Sequence, residues 1–115
     1  MNLDKSLVSG SMAMLVMKLL EDGDLYGYQM IAELRRRSDD TFRLRAGTLY
    51  PLLHSLEEKG LVTACERVAE NGKARRYYHL TEAGGGVLQE KISAWNAYAR
   101  AVRRVLEGGA CCGLA

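Results

Sequence analysis

The chain has 115 residues, the length of one domain. With 48% apolar and 26% charged residues it can bury one core, which excludes a disordered or low-complexity chain. A net charge of +2 excludes little by itself, so its distribution along the chain carries the information. The longest apolar run, Met12–Met17, is far short of the roughly 20 residues of a membrane span. The opening Met1-Asn2-Leu3-Asp4-Lys5 lacks the basic head of a signal peptide, so a cytoplasmic location and no membrane partner are expected.

The first predicted element is a helix over 7–20. Val8, Met12, Leu15, Val16, Leu19 and Leu20 recur at helical spacing. Met14 and Met17 widen the stripe, so this helix needs cover on more than one side. Glu21-Asp22-Gly23-Asp24 reads as its stop. A second helix is predicted over 26–37, with Met30, Ile31 and Leu34 inward and Arg35, Arg36 and Arg37 at the negative end of its dipole. A loop, 38–45, follows. The third helix is predicted over 47–59, with Leu49, Leu52, Leu53 and Leu56 on one buried face. Pro51 is read into its first turn, and Gly60 is its C-terminal stop.

The period then changes. Residues 61–68 and 74–80 read as strands, and Asn71-Gly72 between them is a hairpin signal. Helix-turn-helix followed by a hairpin is the layout of a winged helix-turn-helix. Thr81 is the expected cap of a last helix, 82–107. Its residues Leu88, Ile92, Trp95, Ala99, Val102 and Leu106 form a narrow seam of about three heptads, which suits dimerisation. Packing on its own domain explains the seam too. The fold expected is mainly α with a small β-hairpin: a DNA-binding unit over 1–80, a dimerisation helix over 81–107 and a disordered tail over 108–115.

Basic residues cluster twice: Arg35, Arg36, Arg37, Arg43 and Arg45, then Lys73, Arg75 and Arg76. Two such clusters in a nearly neutral chain suit a polyanion partner, although a solvated charged face fits them as well. There is no nucleophile–base pair with an orienting group, no phosphate-binding glycine loop and no metal-ligand spacing, so neither catalysis nor a cofactor or metal is expected. Cys65 stands alone in a predicted strand, and Cys111 and Cys112 lie in a Gly-rich tail; three cysteines make a poor disulfide framework.

Several segments together carry a resemblance. Leu25-Tyr26-Gly27-Tyr28, Ala46-Gly47-Thr48-Leu49-Tyr50-Pro51 with His54, Lys59-Gly60-Leu61-Val62, and Lys73-Ala74-Arg75-Arg76-Tyr77-Tyr78-His79-Leu80-Thr81 resemble the PadR family of transcriptional regulators over residues 3–107. The single C-terminal helix is similar to that of its smaller subfamily, which includes multidrug-sensing repressors. The chain departs from many relatives in lacking a tryptophan near Cys65 or Glu66, and in the run Gly84-Gly85-Gly86. The resemblance implies a homodimer that binds double-stranded DNA, represses, and is released by a small molecule.

On this reading the third helix enters the major groove. Thr48, Leu49, Tyr50 and His54 are its expected DNA contacts, with Lys59 at its end. Pro51, Ser55 and Glu58 share its outer face. Tyr26, Gly27 and Tyr28 place the start of the second helix near a phosphate. Lys73, Arg75, Arg76 and Tyr77 carry the wing to the backbone. Tyr77 and Tyr78 alternate, so one faces the core and the other faces out. Trp95, Ile92, Ala99, Met12 and Leu15 are expected around a planar hydrophobic effector. Met12, Leu15, Leu19, Leu88, Ile92, Trp95, Ala99, Val102 and Leu106 are expected at the dimer interface. Two rival readings are a winged-helix module that binds protein rather than DNA, and a cysteine-based metal- or redox-sensing regulator.

Overall fold

A computed structural model describes residues 5–108, with side chains from residue 11 onward. Val8, Cys111, Cys112 and the expected tail beyond Gly108 lie outside that description. The elements run α1 (Lys5–Glu21), β1 (Leu25–Tyr26), α2 (Gly27–Arg37), α3 (Ala46–Glu58), β2 (Val62–Val68), β3 (Ala74–Leu80) and α4 (Glu82–Glu107). This is a mainly helical winged helix-turn-helix with a small antiparallel sheet and a long last helix.

The core is built from the predicted stripes. Val16 and Met17 of α1, Met30 of α2, Leu49 and Leu53 of α3, Val62 of β2 and Leu88 of α4 are fully enclosed. Met17, set partly outside the α1 stripe by periodicity, is therefore a central core residue. It is enclosed because α1 meets α2, β3 and α4 on different sides.

Chain-local chemistry explains the element ends. The Tyr26 N–H donates to the Gln29 side chain at 3.0 Å and fixes the start of α2. Gly60, at φ +74°, ends α3: its N–H bonds the Glu57 carbonyl and the Leu61 N–H bonds that of Leu56. Thr81 caps α4 by accepting the Gly84 N–H at 3.0 Å, while its hydroxyl donates to the Gly60 carbonyl at 2.8 Å.

Three local expectations are corrected. Residues 25 and 26 form a short strand, and α2 begins only at Gly27; two residues are too few to show a strand period. Leu25 pairs with Tyr78 and Tyr26 with Tyr77, giving a three-stranded sheet of order β1-β3-β2. Pro51 lies in the second turn of α3, because the helix already starts at Ala46, where the Thr48 and Leu49 N–H groups bond the Arg45 carbonyl. Its missing N–H leaves the Gly47 carbonyl without an intrahelical donor on the exposed side, where solvent can reach it.

The first half of α4 packs on α1, where Gln89 donates to Glu21 at 3.3 Å. Beyond Ile92 the helix leaves the body, and the molecule extends 66 × 31 × 21 Å. Trp95, Tyr98, Val105 and Leu106 are exposed there, with Leu106 at 78%. Met12, Leu19 and Leu88, expected at a dimer interface, are instead core residues of the single chain. The same correction removes Met12 from an effector wall. Each is covered by its own chain, since α1 and α4 pack together at this level. Leu15, Ile92, Ala99 and Val102 stay partly exposed.

Candidate nucleic-acid interface

With Leu49, Leu53 and Leu56 turned into the core, α3 presents Gly47, Thr48, Pro51, His54 and Glu58 outward. Leu49 was expected among the DNA contacts; it is 0% exposed and faces the core. Tyr50 flanks this surface at 43% exposure. His54 faces Glu58 one turn on, at 3.7 Å, and both are well exposed.

Tyr50 also reaches back to α2. A Cβ on Gly27 would stand 2.1 Å from the Tyr50 hydroxyl oxygen. Gly27 is buried because Tyr50 covers it, so its missing side chain seats that ring rather than a phosphate. Tyr28, next to it, is 68% exposed.

The wing strands pair in register from Val62–Leu80 to Val68–Ala74. Alternation puts Tyr78 inward, buried against the core, and leaves Tyr77 half-buried on the outer face. There Tyr26 meets Tyr77 edge-on, with ring centroids 5.3 Å apart. The Arg67 guanidinium lies 4.4 Å from the Tyr77 ring centre, and that of Arg75 lies 5.5 Å from the Tyr26 ring centre. Arg67 also donates to Asp24 at 2.5 Å, and His79 shares the same carboxylate at 2.8 Å. These partners, His79 foremost and Arg67 with it, hold the Asp24 carboxyl below its ordinary range against the opposing effect of partial burial. Arg76 donates to Glu57 of α3 at 3.0 Å. The wing arginines thus tie the hairpin to the Asp24–Tyr26 segment and to α3. Lys73 at the wing turn and Lys59 after α3 have no carboxylate partner among the described residues.

The five-arginine segment is mostly neutralised from within. Arg36 and Arg37 both pair with Glu33, and Arg37 also reaches Asp22 at 2.9 Å. The two guanidinium groups hold the Glu33 carboxyl down at about 2. Arg35 and Arg43 converge on Asp40. Asp39 and Asp40 take left-handed backbone conformations (φ +52° and +66°) that aim the second carboxylate between them. Counting positive charge along the chain missed this, because Asp40 reaches its two arginines only through the left-handed turn at 39–40, and Asp22 comes from the loop after α1.

Arg67 was absent from the expected site. It is found only once β1 is seen beside β3, since that pairing brings the Asp24 loop and Tyr77 to the Arg67 side chain, which also meets its strand neighbour Cys65. Cys65 is an exposed thiol opposite Tyr77. Among the described residues no three His, Cys, Asp or Glu side chains gather into a metal site, and no helix is long and apolar enough to cross a membrane.

A three-helix core, a wing and an exposed second helix of the helix-turn-helix define the class of winged-helix regulators. Residues 16–90 match the model of the transcriptional regulator PadR-like family, and the chain belongs to that family. It is 41% identical over 81 residues to the transcriptional regulator Rv3488 of Mycobacterium tuberculosis, covering 70% of this chain and 72% of that protein. A PadR family transcriptional regulator from Eggerthella lenta superposes with a TM-score of 0.76 at 33% identity, over 89% of this chain and 87% of that one. A PadR family regulator from Clostridium difficile gives 0.74 at 30% identity, over 84% and 98%. The protein is a transcriptional regulator, and regulators of this family bind DNA rather than catalyse a reaction.

Proposed function

We propose that the protein is a homodimeric repressor that binds a specific double-stranded DNA operator and is released by a small planar hydrophobic ligand. The observation that carries the DNA reading is the outward face of α3. Thr48 and His54 stand exposed on a rigidly anchored helix beside a wing with a free Lys73. The unit over 1–80 reads DNA. Thr48, Tyr50 and His54 offer polar groups to base edges or phosphates, and Tyr26 and Tyr28 approach the backbone from the start of α2. Lys59 and Lys73 neutralise phosphates directly. Arg75, Arg76 and Tyr77 act from the braced wing.

Dimerisation falls to the helix over 81–107. Its far half exposes Trp95, Tyr98, Val105 and Leu106, an apolar stripe that a second copy would cover. Trp95, 49% exposed, together with the partly exposed Leu15, Ile92 and Ala99, offers a flat aromatic surface to an effector there. A ligand that prefers one dimer geometry lowers DNA affinity by its differential affinity for the two. The work is that of a cytoplasmic protein.

The test is fluorescence anisotropy of a labelled duplex from the DNA upstream of the protein's own coding region, against a random duplex, over a range of salt. Tight, sequence-preferring and salt-sensitive binding is expected. Binding to neither duplex at low salt overturns the DNA reading.

A further inference from the structure

We infer that Asp24 is a positioning residue for DNA recognition: it sets the angle at which the wing stands beside α3. The inference rests on the DNA reading above. The strand register puts Arg67, Arg75, Tyr77 and His79 on one outer face of the sheet. Asp24 brings a carboxylate to that face, where its charge opposes a polyanion. Its contacts give it a different task.

The sheet has the order β1-β3-β2, so β2 has no backbone pairing with β1. Arg67 of β2 spans the gap with its side chain. It stands opposite Arg75 in the register, passes over the Tyr77 ring at 4.4 Å and reaches Asp24 at 2.5 Å. This is a diagonal tie across the middle strand. His79 of β3 lies 2.8 Å from the other oxygen of the same carboxylate. Both strands of the hairpin are thereby fixed to one residue outside it. Backbone pairing of β1 with β3 covers only Leu25–Tyr78 and Tyr26–Tyr77, and Asp24 extends that short ladder by a side-chain step.

The far end of the tie is anchored. In the turn after α1 the Gly23 N–H bonds the Leu20 carbonyl at 3.2 Å. Glu21 accepts Lys18 and Gln89 of α4, and Asp22 pairs with Arg37 of α2. Arg67 itself lies one residue before the end of β2, and the Ala69 N–H bonds the Lys73 carbonyl across the wing turn at 2.8 Å. The tip that carries Lys73 therefore follows Arg67. A hairpin held only through its inner face, by Val62, Tyr78 and Leu80, can pivot on that core; the tie removes this freedom. The pairs are partly exposed and add little to stability, so their effect falls on recognition.

The experiment uses the full-length parent, Asp24→Asn, Arg67→Gln and the double variant, with the upstream and random duplexes named above. The readout is the ratio of the two affinities, because a change of charge acts on all sequences alike. Asp24→Asn should hold or raise affinity for random duplex while the ratio falls about tenfold, the effect of one displaced specific contact. Arg67→Gln should lower the ratio equally, and the double variant no further, because the two residues act as one tie. Thermal midpoints should stay nearly constant. Should Asp24→Asn fail to fold, Arg67→Gln decides by the same ratio. A parental ratio in either single variant overturns the inference and leaves the DNA reading standing. Losses that add in the double variant, or that track a large fall in thermal midpoint, also overturn it. A parent that binds both duplexes equally, or neither, overturns the reading of a specific operator there and this inference with it.

Discussion

The hydroxyl of Tyr50 sits over the Cα of Gly27, so the start of α2 and the middle of α3 hold each other by the absence of one side chain. Gly27→Ala would drive the end of the Tyr50 ring aside. The ring is partly exposed and can swing away, so stability should change little. DNA affinity is expected to fall about tenfold, the ~1–3 kcal/mol of a displaced polar contact. A lower thermal midpoint with unchanged DNA binding would contradict a role for Tyr50 at DNA.

Arg76 and Glu57 join the wing to α3. Both are partly solvated, so the pair adds little to stability. Glu57→Gln removes a negative charge near the proposed DNA surface and frees the guanidinium. Affinity for random duplex should rise, with a steeper salt slope, at a nearly constant thermal midpoint. Unchanged binding in a salt titration would place Arg76 away from the nucleic acid.

The three glycines opening α4 differ in kind. A Cβ on Gly84 would lie 2.1 Å from the Leu61 carbonyl oxygen and 2.7 Å from Leu80, whereas Gly85 and Gly86 have nothing within 4 Å. Gly84→Ala should destabilise by roughly 1–3 kcal/mol, because a backbone atom must move. Gly85→Ala and Gly86→Ala should each stabilise by about 1 kcal/mol through helix propensity. Denaturant titration of the three variants checks the sign at each position.

Leu106 and Trp95 lie on the exposed stripe of α4. If the proposed dimer forms through this stripe, Leu106→Glu should shift it to monomer in sedimentation equilibrium. Planar hydrophobic dyes should quench Trp95, the single tryptophan, at micromolar concentrations. A Leu106→Glu protein that keeps the mass of the parent assembly would exclude this stripe as the contact.

The two guanidinium groups on Glu33 lower its pKa from 4.5 to about 2 in the folded chain. A depressed carboxylate stabilises the fold above its unfolded value and loses that contribution as pH falls through the folded one. Asp40, held by Arg35 and Arg43, is shifted in the same direction. The thermal midpoint should therefore decline between about pH 4.5 and 2, and less steeply in Glu33→Gln. Identical acid profiles for the two proteins would remove Glu33 as a source.

Much of the fold was legible in the chain because each long element carries its own period and punctuation. The leucines of α3, the Gly60 stop, the Asn71-Gly72 turn and the Thr81 cap are local chemistry, and the observed elements follow them within one or two residues. Thr48, Pro51, His54 and Glu58 could be placed outward for the same reason: a helix with one leucine face has only one other. Local reasoning failed where residues answer one another across elements. The pairing of Leu25 and Tyr26 with β3, the Tyr50 ring over Gly27, and Asp40 between Arg35 and Arg43 depend on backbone positions that no spacing encodes. Composition and periodicity determined a winged helix-turn-helix with a long last helix. Only packing decided which of its basic residues are paired inside the fold, because an ion pair is set by distance in space rather than along the chain.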